Sequence, residues 1–284
     1  MIVRKNIIIA LLSVIICQAA VAQVSMQLYS NRKNYHQYEP VKLMLVLRNF
    51  SGTPLIFGSS SELSGKITLE IKSPGSYNLP DYVQVELQNV ILKPGLPEKV
   101  KIDLGKYFTI DKIGKYRIKA LIEHKQLPNK YESNYVFFDS TKGYLIWTST
   151  AGIPDVLQEN KDRAVRSVTY KIDSLFDGRD KVYYLVIEDD KRIYTVSRIG
   201  YDVGTTVPSC KIDFLSQLHI LIQESAKIFS YYVFDTAGNK LKHNIYKKKN
   251  KIPPALSVDP NTGEILVVGG ALAKRGEDFD FESN

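Results

Sequence analysis

The chain has 284 residues, 44% of them hydrophobic and 24% charged, with a formal net charge of +8. These proportions are those of an ordinary globular chain and exclude a low-complexity or disordered polymer. At roughly 100–200 residues per domain, the length makes one large or two average domains, and two fit better.

The first 22 residues carry basic Arg4 and Lys5, an apolar run from Ile7 to Ile16, and Ala20-Val21-Ala22 ahead of Gln23. That is the layout of a secretory signal, and it predicts cleavage after Ala22 and an exported mature chain, periplasmic or extracellular. The apolar run falls short of the roughly 20 residues a membrane-spanning helix needs, so a retained anchor is not expected. No later segment approaches that length, so no transmembrane segment remains after cleavage. A lipoprotein site at Cys17 would want a small residue just before the cysteine and leucine three before; Ile16 and Val14 stand there instead.

Removal of the signal leaves Cys210 as the sole cysteine, which forbids an intramolecular disulfide and every cysteine-rich metal pattern. Export without disulfides fits a bacterial envelope, and Cys210 reads as a small apolar packing residue. Loss of Arg4 and Lys5 lowers the charge by two, to +6. Much of the remainder lies at Lys240, Lys242, Lys247, Lys248, Lys249 and Lys251, which reads as a solvated hairpin face or as a surface drawn to an acidic partner.

From Val24 to about Ser140 the side chains alternate with period two, the signature of strands with one buried face. Ile67–Lys72, Val83–Gln88 and Val100–Leu104 alternate without error; further strands read at Met26–Tyr29, Val41–Leu47, Tyr116–Ile122 and Tyr135–Phe138. About seven strands with no credible helix predict a two-sheet antiparallel sandwich. Pro40 marks a strand start, after which Leu43, Leu45 and Leu47 face one way. In Gly114-Lys115-Tyr116, a turn glycine delivers a tyrosine into a strand, the arrangement of a tyrosine corner.

With its opening "YEPVKLMLVLRN" and closing "IGKYRIKALI", the segment resembles macroglobulin-type or fibronectin type III-like immunoglobulin-like domains of bacterial exported proteins. The resemblance implies a β-sandwich for residues 23–140, without the disulfide and packed tryptophan of antibody domains. It implies no function, because such domains serve many.

Ser140-Thr141-Lys142-Gly143 reads as a linker, and Asp155–Arg166 as the one stretch with helical potential. Trp147 is expected in the core or at the domain junction. Beyond it the chain repeats. Lys171-Ile172-Asp173, Lys211-Ile212-Asp213 and Ser257-Val258-Asp259 each read as a strand ending in an aspartate turn, followed by strands at Val182–Ile187, Leu218–Ile222 and Ile265–Val268. Further hairpins pass through Glu188–Lys191 and Asp235–Asn239. This spacing resembles propeller blades in uncharacterised exported bacterial proteins, with room for about three where closure usually takes at least four. An open stack, a sandwich, or a piece completed by another chain all remain open for residues 141–273. Residues 274–284 read as a disordered acidic tail.

No catalytic, cofactor or metal motif emerges. There is no Gly-x-Ser-x-Gly elbow, no phosphate-cradling or dinucleotide loop, and no ligand-like pairing among His36, His124, His219 and His243. His219 reads as a satisfied strand residue, and Asp259-Pro260-Asn261-Thr262-Gly263-Glu264 as a turn rather than a calcium loop. Tyr183, Tyr184, Tyr194, Tyr201, Tyr231, Tyr232 and Tyr246 in the second half are mainly strand and core residues, though some must face outward. The reading is of an all-β, exported, non-catalytic binding or scaffold protein of the cell envelope. Its partner is a protein or glycan, nucleic acid is not expected, and oligomers are possible. Tyr231, Lys247, Lys248 and Lys249 are the candidate partner surface. The alternative is a hydrolase or lyase acting on polysaccharide, with a carboxylate pair between Asp173 and Glu264.

Overall fold

The computed structural model describes residues 23–58, 65–76, 79–87, 90–153 and 166–279. The predicted signal (1–22) and the helical potential at 155–165 lie outside them. The described chain is all-β, its one helical element being a 3-10 turn at Leu104–Lys106.

The first half forms β1 (Val24–Ser30), β2 (Asn34–His36), β3 (Lys42–Asn49), β4 (Leu55–Phe57), β5 (Lys66–Lys72), β6 (Asp81–Val85), β7 (Val90–Leu92), β8 (Pro97–Asp103), β9 (Gly114–Glu123), β10 (Tyr131–Glu132) and β11 (Val136–Thr141). The seven predicted strands are all present, and the additional ones are two or three residues long, too short to show periodicity. The strand predicted over Val83–Gln88 ends at Val85.

One sheet has the order β1-β3-β8; the other runs β2-β11-β9-β5-β6 with β10 on β9, and β4 pairs with β7. The alternation pays out as predicted: Leu43, Leu45 and Leu47 meet Ile67, Leu69 and Ile71 of β5 and Tyr116, Ile118 and Ile122 of β9 in one buried cluster. Each such side chain contributes about 1.5–3 kcal/mol on leaving water. Tyr116 packs its ring flat on Phe138, centroids 5.3 Å apart. Its hydroxyl accepts from the Lys112 N–H (3.0 Å) and donates to the Lys112 carbonyl (3.1 Å), closing the corner ahead of β9. Asn134 clips the free side of β1 to the second sheet, its Oδ1 accepting from the Leu28 N–H at 2.8 Å and its Nδ2 donating to the Leu28 carbonyl at 3.0 Å.

The second half forms β12 (Tyr144–Gly152), β13 (Ser167–Phe176), β14 (Lys181–Glu188), β15 (Ile193–Tyr201), β16 (Ser209–Ile212), β17 (Leu218–Gln223), β18 (Ile228–Phe234), β19 (Lys240–Lys247), β20 (Ala255–Val258), β21 (Ile265–Val268) and β22 (Ala271–Leu272). Strands β12 to β15 make one antiparallel four-stranded meander, and β16 to β19 make a second, to which β22 adds. The meanders share a core in which Val168, Tyr170, Ile172 and Leu185 meet Leu218, Ile220 and Tyr232, with Trp147 packed at its margin. The β20–β21 hairpin supplies Leu256 and Val267 to a further cluster around Phe229 and Tyr231, so β18 is buried along its whole length.

Six turns of this half are closed by one device: an aspartate Oδ1 accepting from the backbone N–H two residues on. Asp177, Asp189, Asp202, Asp213, Asp235 and Asp259 all do this. Asp213 and Asp259 thus play the predicted role. Asp173 does not: it lies inside β13, which continues to Phe176, and Asp177 is the turn residue. The local spelling Lys-Ile-Asp is the same at 171–173 and 211–213, but pairing with β14 carries the strand three residues further.

Two more expectations are corrected. The supposed linker at 140–143 is no tether: Ser140 and Thr141 belong to β11, and Lys142-Gly143 alone separates β11 from β12. The acidic tail is folded as far as Phe279. Lys247 Nζ donates to both Asp278 carboxylate oxygens at 2.8 Å, and the Asp278 N–H reaches the Lys274 carbonyl, so the apolar strand β22 draws the acids back onto the basic hairpin.

Candidate ligand-binding cleft

Where the halves meet, the backbone N–H groups of Lys33 and Asn34 donate to the Asp177 carbonyl (3.3 and 3.2 Å), and Asn34 Nδ2 donates to the Phe176 carbonyl at 3.0 Å. A buried polar network also joins the halves. His36 Nε2 meets Asp173 Oδ2 at 2.8 Å, His36 Nδ1 meets the Gln37 carbonyl at 2.8 Å, and the His36 N–H donates to Glu39 Oε2 at 3.0 Å. Arg32, stacked over Tyr35, donates across the junction to the Tyr184 hydroxyl and within its own half to Glu39. Gly143 packs against this network; at φ +75° an added Cβ would lie 3.2 Å from the Ser174 carbonyl oxygen and 3.3 Å from the Asp173 Cβ.

Arg32 also lines a cleft of about 590 Å³ between the halves, within the range of small-molecule sites. One wall is the end of β1 with residues 31–33 and the Val136-Phe137 start of β11. The other is the Asp177–Asp180 turn with Arg198 and Tyr201 of β15. Three aromatic rings on the walls face solvent: Tyr29 at 48% exposure, Phe137 at 54% and Tyr201 at 44%. Four cations line the site. Arg32 is engaged by Glu39, and Arg198 by Asp177 at 3.2 Å while stacking on Tyr201, whereas Lys33 and Arg179 are exposed with no acid within ion-pair distance among the described residues.

The acids of the cleft, Asp177 and Asp180, both belong to one turn. Asp177 is fully committed, Oδ1 to the Arg179 and Asp180 N–H groups and Oδ2 to Arg198. The opposite wall carries no carboxylate. The arrangement is therefore suited to holding an acidic, flat-faced ligand by Lys33 and Arg179 between aromatic walls.

The surface read from sequence is only partly realised. Tyr231 is 3% exposed and its hydroxyl meets His219 Nδ1 at 2.7 Å, so it offers nothing to a partner. Lys247 is half-buried and held by Asp278; Lys248 and Lys249 remain exposed. His219 is satisfied as expected, with Asp213 at 3.3 Å on its other nitrogen, and burial lowers its pKa. Asp259 serves its turn backbone. Asp173 is occupied by His36 while Glu264 is exposed on the β20–β21 turn. Cys210 packs half-buried against the shared core of the meanders, where burial pushes its pKa up to about 12.

Sequence reasoning missed Arg32, Lys33, Phe137, Arg179 and Arg198. Their only signal was two short basic turns, Asn31-Arg32-Lys33 and Asp177-Gly178-Arg179, far apart in the chain and brought together by the junction.

No known family model matches the chain, and no curated protein does. Among solved structures, the sporulation control protein Spo0M from Bacillus subtilis is similar at 9% identity with a TM-score of 0.28, over 61% of this chain and 81% of that one. That score is too low to carry over a fold or a role.

Proposed function

We propose that the chain is an exported, non-catalytic binding protein of the cell envelope whose cleft between the two halves seats an acidic glycan. In this reading residues 23–140 are an immunoglobulin-like sandwich, supported by the two facing sheets and the Tyr116 corner. The second half is an open stack of two blade-like meanders with a closing hairpin.

The observation that carries the function is the composition of the cleft: two cations with no acid within ion-pair distance among the described residues, exposed aromatic rings, and lining carboxylates on one wall only. Sugar-cleaving chemistry needs two carboxyl groups flanking the bond to be cut. With both acids on one turn and Asp177 engaged, the cleft supports binding over hydrolysis.

The test is a glycan array probed with the mature chain, residues 23–284, followed by calorimetry on the strongest hit. The reading expects uronic-acid, sulfated or phosphorylated glycans to bind and neutral ones not to, with affinity at least tenfold weaker in Lys33→Glu/Arg179→Glu. Preference for neutral glycans, or full affinity in that variant, would overturn it.

A further inference from the structure

A strand at the edge of a sheet leaves half its N–H and C=O groups without a partner in the sheet and invites another strand unless something blocks it. Several edges of this molecule are blocked. Strand β15 is overlaid by turns of the second meander: the Tyr201 N–H donates to Glu224 at 3.3 Å, and a Cβ on Gly238 would lie 2.7 Å from Thr195. Asn134 occupies β1 at Leu28; β22 pairs with the end of β19 at Tyr246 and Lys247, and the rest of β19 carries Lys240 and Lys242. Strand β8 carries Pro97, Glu98, Lys99 and Lys101, while β6 and β16 have five and four residues with Asp81 and Lys211 respectively.

Among the described residues, strand β12 has none of these defences. Its sequence, Tyr-Leu-Ile-Trp-Thr-Ser-Thr-Ala-Gly, contains no charge and no proline, none of its nine residues is buried, and among the described residues it pairs only with β13. A bulge after Leu145 bends its start, leaving Trp147–Gly152 in regular register.

We infer that β12 is a self-association edge, at which two copies of the chain pair β12 antiparallel to β12 about a two-fold axis and merge two meanders into one eight-stranded sheet. A two-fold axis sets a strand against itself, so any charge near the axis would face its own copy. The absence of charge from β12 is what such pairing requires, and Thr148, Ser149 and Thr150 at its centre form favourable cross-strand pairs with one another. The inference is independent of what the cleft binds.

Thr148→Lys/Thr150→Lys tests it. Whichever of residues 148, 149 and 150 lies on the axis, the double substitution sets a lysine directly opposite a lysine. Light scattering coupled to size exclusion is expected to give wild-type chain twice the monomer mass at high concentration. The lysine variant, and likewise Thr148→Glu/Thr150→Glu, should be monomeric with unchanged circular dichroism, and an equimolar mixture of the two should recover the dimer. Wild-type chain that stays monomeric at every concentration, or a lysine variant that stays dimeric, overturns the inference. Hydrogen exchange on the wild-type chain supplies a readout that needs no variant: β12 amides should gain protection as concentration rises. Protection that does not change with concentration means that something other than a second copy covers the edge.

Discussion

His36 holds a carbonyl oxygen on one ring nitrogen and an Asp173 carboxylate oxygen on the other, each at 2.8 Å. A neutral imidazole has only one N–H to donate, so the arrangement is satisfied by the imidazolium alone. Burial works against that charge, but the hydrogen bonds to Asp173 and Gln37 and the nearby charges of Asp173 and Glu39 outweigh it, and the His36 pKa is raised. A raised folded-state value contributes stability that is complete below the unfolded histidine pKa of about 6.5 and disappears as pH rises through the folded value. The melting temperature of the wild-type chain should therefore fall as pH is raised from 6 into the alkaline range. His36→Gln should be less stable at pH 6 and show a flatter profile; an unchanged profile would mean the pair is electrostatically idle.

Removing the other member leaves a buried cation without its counterion. Asp173→Asn should cost about 3–5 kcal/mol, the range for breaking a buried pair from one side. Urea unfolding monitored by Trp147 fluorescence measures it, since that indole packs at the margin of the adjoining core.

The Tyr116 hydroxyl is the only polar atom of a fully buried ring, and it both accepts from and donates to the Lys112 backbone. Tyr116→Phe keeps the stacking on Phe138 and deletes the two hydrogen bonds. A loss of about 1–3 kcal/mol in urea unfolding is expected, because the Lys112 N–H and C=O are left without their partner. A neutral result would show that water replaces the hydroxyl.

Gly143 turns the chain from β11 into β12 at φ +75°, with the Ser174 carbonyl oxygen 3.2 Å from where a Cβ would be. Gly143→Ala adds left-handed strain of about 1–2 kcal/mol to tight contacts with the Ser174 carbonyl and the Asp173 Cβ. The variant should melt earlier than wild type and keep its dependence on pH, because the His36 ring stands at an ordinary contact distance of 3.5 Å from the added carbon. A flattened pH profile would show that the strain reaches the His36–Asp173 pair.

Burial pushes the Cys210 thiol up to about 12, far from the thiolate needed for reaction. Native chain at pH 8 should react with a thiol-specific disulfide reagent far more slowly than chain in denaturant, and fast native labelling would contradict the packing of Cys210 against the meander core.

What the sequence disclosed was whatever repeats along the chain. Leu43, Leu45 and Leu47 announce a buried strand face by themselves, and Asp235-Thr236-Ala237-Gly238-Asn239 announces a turn by its own chemistry. Three-residue strands such as Asn34–His36 have too few side chains to show a period, yet that strand positions His36 and Glu39. Asp173 misled because strand length is set by the neighbour it pairs with rather than by its own residues. The cleft was invisible for a related reason: Lys33 and Arg179 become a pair only when β2 lies beside β11 and both meet the β13–β14 turn.

The aspartate-closed turns also bear on the order in which the molecule assembles. Each takes its hydrogen bond from two residues away, so a hairpin such as β13–β14 can close as soon as its residues have been synthesised, within microseconds. The first half has no such independence, because β1 is clipped by Asn134 and β2 pairs with β11, about a hundred residues later in the chain. The amino-terminal half, although first to be made, must hold its strand edges open until nearly half the protein has been synthesised. That interval is when a chaperone would find this protein.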